Sequence, residues 1–347
     1  MTSMPPSSAH DTGSGGRSPR GHRRALSVRP DTGDERRARY WEHCSEHPEI
    51  PLFSQAWWLD AVAPKTWDAV MVEDSAGVAG SLPFVLRRRF GLVSASQAQL
   101  TQTAGPWIRP SAGKPAEALS YEMAVLAQLA ESLPPVDRYT QNWHFSQTNW
   151  LPFHWAGFSQ STCYTYRLEN LSDPEALWLN LRENIRREIR KAKTRFGLEV
   201  THDADVGEFL ELNAMVFDRQ GRRVPYPASL VHRIDSVAGD RSRKQVLVAR
   251  DRQGRAHAAT YMVWDDASAY YLMGGADPAF RTSGATSLCL WESILHVSPL
   301  TRSFDFEGSM IQSLERLFRA FGATQTPYFH VSRTYSRRMR LALALRR

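Results

Sequence analysis

The chain has 347 residues, of which 42% are apolar and 23% are charged, and its net charge is +7. This length predicts about two domains, and the composition excludes a wholly disordered chain, a collagen-like chain and a simple coiled coil. The sequence contains neither a long uncharged apolar run nor an apolar segment after the N-terminal charges, so it predicts no transmembrane helix and no signal peptide.

The first 39 residues (1–39) are predicted to form a disordered basic tail. They are rich in Ser, Gly, Pro and Arg and hold almost no large apolar side chains, so they cannot bury enough surface to offset the entropy of ordering. Two further basic segments lie at 182–195 and 333–347, and the rest of the chain is net acidic. The charge of +7 therefore does not indicate a nucleic-acid-binding body.

Residues 40–170 are predicted to form a first lobe. Alternating apolar residues indicate strands, and the helical spacing of Ala, Leu and Met indicates a helix. In chain order, the predicted elements are strands at 67–72 and 78–86, a helix at 116–131, and strands at 138–145 and 163–168.

A strong helix is predicted at 173–196, between the two lobes. Asp173 is a good N-cap, and Pro174 suits the first helical position. Apolar residues three or four apart predict one buried stripe, which comprises Leu177, Leu181, Ile185, Ile189, Ala192 and Phe196. The other faces carry the basic side chains, among them Arg186, Arg187, Arg190 and Lys191.

Residues 171–335 are predicted to form a second lobe that repeats the order of elements in the first. The predicted elements are helices at 206–217 and 228–238, strands at 245–249, 258–264 and 268–273, a helix at 284–297, a strand at 303–306, a helix at 311–321 and a strand at 327–331. We therefore expect an α/β fold of two tandem lobes. Each lobe would be a mixed, largely antiparallel sheet flanked by helices. Residues 336–347 would form a basic C-terminal tail.

The start of the helix at 284–297 is a candidate anion site. Small residues at a helix start expose backbone N–H groups, and the helix dipole attracts negative charge. The segment holds Arg281, Ser283, Gly284, Ala285 and Thr286. Phosphate binding is one interpretation, with Arg281 adding a charge-assisted bond, and a helix start capped by Ser283 is the other.

Two carboxylates lie at the end of the strand predicted at 303–306. With a side-chain period of two, Asp305 and Glu307 share one face, and the flanking Phe residues share the other. One carboxylate could act as a general base on an amine if its pKa is raised. The alternative is a solvated strand end in which Glu307 or Ser309 caps the next helix.

Tyr328 in the last strand is a candidate general acid, although a buried core tyrosine would fit the pattern equally well.

Three distant cysteines form no CxxC pair, and there is no HExxH motif, so no metal site is expected. The cysteine usage favours a reducing cytoplasm.

Several motifs together resemble the Fem-like proteins of the GNAT acyltransferase superfamily. The most specific is Phe-Asp-Phe-Glu-Gly-Ser-Met at 304–310, followed by Phe-Gly-Ala at 321–323. Asn-Trp-Leu-Pro-Phe at 149–153, Tyr-Thr-Tyr at 164–166 and Asn-Ile-Arg-Arg at 184–187 resemble other parts of that family. The resemblance covers about residues 40–335.

The resemblance implies acyl transfer from acyl-CoA, as co-substrate, to an amine. It implies that residues 281–286 hold the pyrophosphate of acyl-CoA, although Thr286 departs from the Gly or Ala expected at the last position. The thioester would lie near Tyr270, and Glu307 or Asp305 would take the proton of the amine. The acceptor would meet residues of the inter-lobe cleft, which are Arg219, Gln220, Tyr226 and Ser309.

Two alternatives remain at this stage. The first is an aminoacyl-tRNA-dependent transferase for a peptidoglycan or lipid precursor, with tRNA or an anionic lipid-linked substrate at Arg186, Arg187, Arg190 and Lys191. Residues 198–245 lack the extended heptads of a long helical hairpin, which disfavours that alternative. The second is a non-catalytic binding protein whose C-terminal tail is an amphipathic membrane anchor or a frayed end. The expected location is the cytoplasm, with peripheral association at the inner membrane face as a variant.

Overall fold

The computed structural model describes residues 25–308 and 310–345. Within them the strands are β1 (Trp67–Asp74), β2 (Gly77–Arg89), β3 (Leu92–Ser96), β4 (Trp107–Ile108), β5 (Arg138–Asn142), β6 (Ser159–Leu168), β7 (Glu199–His202), β8 (Lys244–Arg250), β9 (Ala256–Trp264), β10 (Ser268–Ala276), β11 (Ser303–Asp305) and β12 (Thr324–Thr334). The helices are α1 (Gly33–Glu46), α2 (Ala56–Val62), α3 (Pro115–Glu131), α4 (Leu151–Trp155), α5 (Pro174–Asn180), α6 (Glu183–Thr194), α7 (Val206–Arg219), α8 (Ala228–Gly239), α9 (Ala285–Val297), α10 (Gln312–Ala320) and α11 (Arg337–Ala344).

All twelve of these strands belong to one sheet. Its order is β1-β2-β3-β5-β12-β6-β11-β10-β9-β8-β7, with β4 paired to β2. The pairs β3–β5 and β10–β11 are parallel, and the other pairs are antiparallel. The mixed, largely antiparallel α/β architecture predicted from the sequence is therefore confirmed.

The last strand of each half pairs with the sheet of the other half. Strand β6 lies beside β11, and β12 lies beside β5. The two exchanged strands pair with each other from Thr324↔Arg167 to Ser332↔Ser159. Backbone hydrogen bonds thus cross the boundary predicted at 170/171, and the two lobes share one continuous sheet.

Three apolar clusters fill the two faces of this sheet. The shared cluster takes Trp58 and Trp67 from the first half and Phe209 and Tyr261 from the second, and α2 packs on α8 within it. On the opposite face, α3 and α4 cover the first half, while α5, α6, α9 and α10 cover the second. The shared cluster and the exchanged strands hold the halves together, since apolar burial contributes about 25 cal/mol per Å².

The predicted tail is ordered where the structure describes it. Helix α1 begins at Gly33 with a capping box formed by Thr32 and Glu35. The guanidinium of Arg36 lies 2.5 Å from the carboxylate of Asp68 on β1. The prediction of disorder is therefore wrong for residues 25–39, because their basic side chains find acidic partners that composition does not reveal. Residues 1–24 lie outside the described part.

The predicted helix at 173–196 is two helices. Asp173 caps α5 by accepting a hydrogen bond from the N–H of Ala176, as expected. Leu181 and Arg182 then adopt extended backbone conformations, and the N–H of Arg182 donates to the carbonyl of Ala320 over 2.9 Å. A tertiary hydrogen bond thus interrupts a pattern that favours one continuous helix.

The segment predicted as a C-terminal tail contains α11. The Ser336 hydroxyl caps this helix by accepting a hydrogen bond from the N–H of Met339. A frayed end is therefore the wrong alternative for residues 336–345.

The buried His43 predicts a loss of stability in acid. This side chain is 98% buried among Tyr40, His47 and Trp107, and neither ring nitrogen has a hydrogen-bond partner among the described residues. Burial is the main cause that lowers the pKa of His43 to about 4, with a smaller contribution from the charge of His47. In the unfolded chain the ordinary pKa is about 6.5.

Between these two values the unfolded state binds the additional proton, so the free energy of unfolding falls as the pH falls from 6.5 towards 4. The full shift corresponds to about 3 kcal/mol. Urea unfolding of the wild type and of His43→Leu at pH 7.5 and pH 4.5 measures this difference. The variant should lose less stability than the wild type on acidification, and equal losses would contradict the assignment.

Candidate active site

The two parallel strands of the second half diverge in the middle of the sheet. Strand β10 pairs with β11 only from Ser268↔Ser303 to Tyr270↔Asp305, and β10 then continues to Ala276. Its ladder with β9 shifts register between Tyr271 and Met273, which is a β-bulge immediately beyond the divergence. Bulges redirect backbone groups and side chains, so the edge of β10 that faces the gap offers peptide groups to a ligand.

Asp305 lies at this point of divergence, as the last residue of β11. Its Oδ1 accepts hydrogen bonds from the hydroxyl of Thr165 on β6 and, over 2.8 Å, from the N–H of Glu307. The Nε atom of Arg167 is 3.9 Å from Oδ2. Burial raises the pKa of Asp305 to about 6, although these hydrogen bonds and the charge of Arg167 act in the opposite direction.

Glu307 follows in a left-handed turn, with a φ of 57°. Strand β11 ends at Asp305, so the prediction that both acids project from one strand is wrong, although the turn still brings them together. The Oε1 atom of Glu307 is buried without a hydrogen-bond partner among the described residues. Burial, and then the charge of Asp305, raises the pKa of Glu307 well above its ordinary value.

Contacts fix the backbone of Glu307 and of the following residue, Gly308. The carbonyl of Glu307 accepts a hydrogen bond of 2.6 Å from Nε2 of Gln102. Gly308 also has a positive φ, and a Cβ there would lie 2.3 Å from the carbonyl oxygen of Tyr164. A larger residue at 308 would therefore displace the turn. Ser309, the next predicted site residue, lies outside the described residues.

Tyr328 lies close to the same turn. Its hydroxyl is 3.4 Å from Nε2 of Gln102, so one amide group contacts both Tyr328 and the backbone of Glu307. Burial raises the pKa of Tyr328 well above its ordinary value, and the phenol therefore keeps its proton at neutral pH. Sequence reasoning missed Gln102, whose signal was a glutamine-rich loop at 97–102.

Tyr270 is buried and lies opposite Asp305 in the parallel pair. Burial raises its pKa well above the ordinary value, with a contribution from the nearby acids. Arg167 and Tyr270 line a cavity of about 350 Å³, and the guanidinium of Arg167 stacks 3.8 Å from the ring centre of Phe145. The predicted residues Tyr270, Asp305, Glu307 and Tyr328 are thus close to one divergence of strands.

The first half has a similar parallel pair without the acids. Strand β3 pairs with β5 from Ser94↔Arg138 to Ser96↔Thr140. When the pair β3–β5 is aligned with the pair β10–β11, Thr140 corresponds to Asp305 and Asn142 corresponds to Glu307. The buried carboxylates of this arrangement therefore belong to the second half.

The predicted phosphate loop lies at the start of α9. The N-cap is Gly284, with a φ of 83°, and the Ser283 hydroxyl accepts a hydrogen bond of 3.3 Å from the N–H of Ala285. Ser283 and Ala285 are buried, Thr286 is half-buried and Arg281 is exposed. Arg281 is therefore the exposed charged side chain at this helix start.

Helix α6 packs against this loop. A Cβ on Gly284 would lie only 2.3 Å from the carbonyl oxygen of Glu188, so the loop and α6 are in direct contact. The carboxylate of Glu188 is paired with Lys191 at 2.5 Å. Any phosphate at the loop would therefore lie near an acid that Lys191 neutralises.

Three of the four residues predicted to bind the acceptor are described by the structure, and they differ in their surroundings. The Tyr226 hydroxyl donates to Oδ1 of Asn213 over 3.0 Å, and Nδ2 of Asn213 donates to the carbonyl of Gly274 on β10. Burial raises the pKa of Tyr226 to about 12. Arg219 and Gln220 are exposed at the end of α7, and their side chains make no hydrogen bond to another described residue. Only Tyr226 is thus connected to β10.

The basic face of α6 is paired in part within its own helix. Arg186 and Arg190 both contact Glu183, at 2.9 and 3.2 Å, while Arg187 is exposed. Two arginines thus share the single charge of Glu183, and the face keeps a net positive charge. Among the described residues no three His, Cys, Asp or Glu side chains form a group that could hold a metal. No described helix is long and apolar enough to cross a membrane.

Comparisons with known proteins agree with this geometry. Residues 180–309 match the family described as the acetyltransferase (GNAT) domain. Among solved structures, FemX is similar with a TM-score of 0.62 at 12% identity, covering 87% of this chain and 96% of FemX. A tandem GNAT protein from the clavulanic acid biosynthesis pathway gives a TM-score of 0.51 at 13% identity, covering 89% of this chain and 98% of its own.

A third similar structure is the C-terminal domain of a putative lysylphosphatidylglycerol synthetase from Agrobacterium fabrum. It has a TM-score of 0.54 at 13% identity and covers 89% of this chain and 96% of its own. A comparison with curated proteins finds no significant match. The family match thus assigns residues 180–309 to a GNAT acetyltransferase domain. The likeness to FemX and to the tandem GNAT protein is one of fold, and it extends over most of this chain.

Proposed function

We propose that the protein transfers an acyl group from acyl-CoA to an amine acceptor and that the reaction takes place where β10 and β11 diverge. The observation that carries this proposal is the buried Oε1 of Glu307, which has no hydrogen-bond partner among the described residues and belongs to the turn just after the last residue pair of β10 and β11. An unsatisfied buried carboxyl costs about 1–3 kcal/mol, and an acceptor amine would supply the missing hydrogen bond.

In this proposal the donor, acyl-CoA, lies along the gap between β10 and β11. The thioester carbonyl meets the bulged segment of β10 after Tyr270, where backbone N–H groups stabilise the oxyanion. The phosphates of CoA meet the start of α9, where the helix dipole and Arg281 attract negative charge. Lys191 is the second cation near this loop, because it pairs with Glu188 beside Gly284.

Glu307 is the general base in this proposal. As a carboxylate it takes a proton from the amine while the amine nitrogen attacks the thioester carbon. The C–S bond then breaks, the thiolate leaves with a proton from Tyr328, and Tyr328 regains a proton from Glu307. The raised pKa of Glu307 suits this role, because a base works best when its pKa is near the operating pH.

The acceptor approaches from the cleft that Tyr226 borders, since its hydroxyl is linked to β10 through Asn213. Arg219 and Gln220 would close on the acceptor from the exposed end of α7. Ser309 is the remaining acceptor-binding residue of this proposal. In this proposal the acceptor carries an amine, because Glu307 acts as a base on it.

A thermal-shift screen tests the donor. Acetyl-CoA at about 100 times its dissociation constant should stabilise the protein by about 2.7 kcal/mol, and free CoA should do so as well, because both carry the same phosphates. Arg281→Ala should reduce this stabilisation, whereas Arg252→Ala, an exposed residue of the β8–β9 turn, should not. Stabilisation by charged tRNA alone would contradict the proposal and favour the tRNA-dependent alternative.

A further inference from the structure

A second cavity, of about 600 Å³, lies between the β2–β3 turn and α11, and neither Asp305 nor Glu307 lines it. One rim is the β2–β3 turn, with Arg87, Arg89 and Phe90, and the other rim is α11. Its floor holds polar residues of β3, β5 and β12, which include Ser94, Ser96, Arg138, Thr140 and His330. The two rims share a composition that the proposed acyl transfer does not explain.

The β2–β3 turn combines positive charge with an exposed aromatic side chain. Arg87, Arg88 and Arg89 are consecutive and exposed, and none forms an ion pair with a described residue. Phe90 follows at the tip and is 85% exposed, with the guanidinium of Arg89 5.0 Å from its ring centre. A phenylalanine this exposed contributes nothing to the core.

Helix α11 presents the same combination on its outer side. Met339, Ala342 and Leu343 line the cavity, whereas Leu341 and Leu345 are 67% and 89% exposed. The basic side chains of this helix are also exposed, and they are Arg337, Arg338 and Arg340. No acidic residue occurs between positions 333 and 347, so the helix has no internal ion pairs.

We propose that the β2–β3 turn and α11 together form a surface that docks on an anionic lipid bilayer. The six arginines of the two rims complement lipid phosphates, and Phe90, Leu341 and Leu345 enter the interface between headgroups and acyl chains. This is the composition of an interfacial membrane-binding element. The proposal does not depend on the acyl-transfer chemistry, because these residues lie on the other half of the protein.

The apolar side chains decide between a bilayer and a nucleic acid. Both carry phosphates that arginines attract, and an exposed phenylalanine can stack on a base. Aliphatic side chains such as Leu341 and Leu345 gain little from stacking, but they gain free energy when they enter a bilayer. The exposed leucines therefore favour the membrane.

Sedimentation with vesicles tests this surface in the full-length protein. The wild type should bind vesicles that contain phosphatidylglycerol and should bind pure phosphatidylcholine vesicles much more weakly. The triple variant Arg87→Gln, Arg88→Gln, Arg89→Gln should weaken binding roughly a hundredfold, since each arginine near such a surface contributes about a factor of five or more. The matched control Arg222→Gln, Arg223→Gln, Arg252→Gln removes the same charge from exposed positions elsewhere and should change binding little.

A second experiment measures how much the apolar side chains contribute to vesicle binding. Phe90→Ser with Leu341→Ser should weaken binding even at a salt concentration that screens the arginines. All these positions are exposed, so the melting curves of the variants should match the wild type. Equal loss in the control triple, equal binding to neutral and anionic vesicles, or binding of bulk tRNA without binding of vesicles would each overturn the proposal.

Discussion

Glu307→Gln should lower kcat by about 10²-fold or more at saturating acceptor. The amide has the shape of the carboxyl and can keep its contacts, but it cannot accept a proton from the attacking amine. Burial raises the pKa of Glu307 above its ordinary value, so the folded protein favours a neutral side chain at this position. The amide of Glu307→Gln is neutral and therefore suits the folded protein. The melting temperature should therefore stay close to that of the wild type, and the loss should be confined to the rate.

The pH dependence of the rate separates a base from a positioning role. A base with a raised pKa is protonated and inactive at low pH, so kcat of the wild type should rise with pH as Glu307 loses its proton. In Glu307→Gln this rise should disappear. Glu211→Gln, on the exposed side of α7, is the control and should keep both the rate and its pH profile. An unchanged rate in Glu307→Gln would remove Glu307 from the mechanism.

Local patterns predicted most elements of this fold, because their causes are local. The apolar stripe of Leu177, Ile185 and Ile189 is buried as its spacing indicates, although the helix that carries it is broken. The antiparallel strands predicted at 67–72 and 78–86 correspond to β1 and β2. A side-chain period is visible in ten residues of sequence, whereas the tertiary hydrogen bond that separates α5 from α6 is not.

The exchange of the last strands could not be predicted from the same patterns. Strands β6 and β12 each show the β-rich composition of a strand, and composition contains no information on which edge a strand will join. The site was only partly predictable for the same reason. Asp305 and Glu307 stood out as two acids beside a glycine, but Gln102, which fixes the carbonyl of Glu307, is 205 residues away.

Replacing Gly284 should damage both the fold and the donor site. The φ of 83° is left-handed, and the new Cβ of Gly284→Ala would lie 2.3 Å from the carbonyl oxygen of Glu188. Left-handed strain costs an alanine about 1–2 kcal/mol, and overpacking against a rigid helix costs about 1–3 kcal/mol more. Urea unfolding should therefore show a loss of about 2–5 kcal/mol.

The same substitution should weaken acyl-CoA binding by about tenfold or more, because relief of the overlap moves the start of α9 away from α6 and misplaces the N–H groups that meet the phosphates. Gly254→Ala is the matched control, since Gly254 has a φ of 78° and nothing lies within 4 Å of its Cβ position. Gly254→Ala should lose only the stability that left-handed strain costs, and it should bind acyl-CoA as the wild type does. If Gly284→Ala binds acyl-CoA with unchanged affinity, as measured by calorimetry below its melting temperature, the start of α9 does not hold the donor.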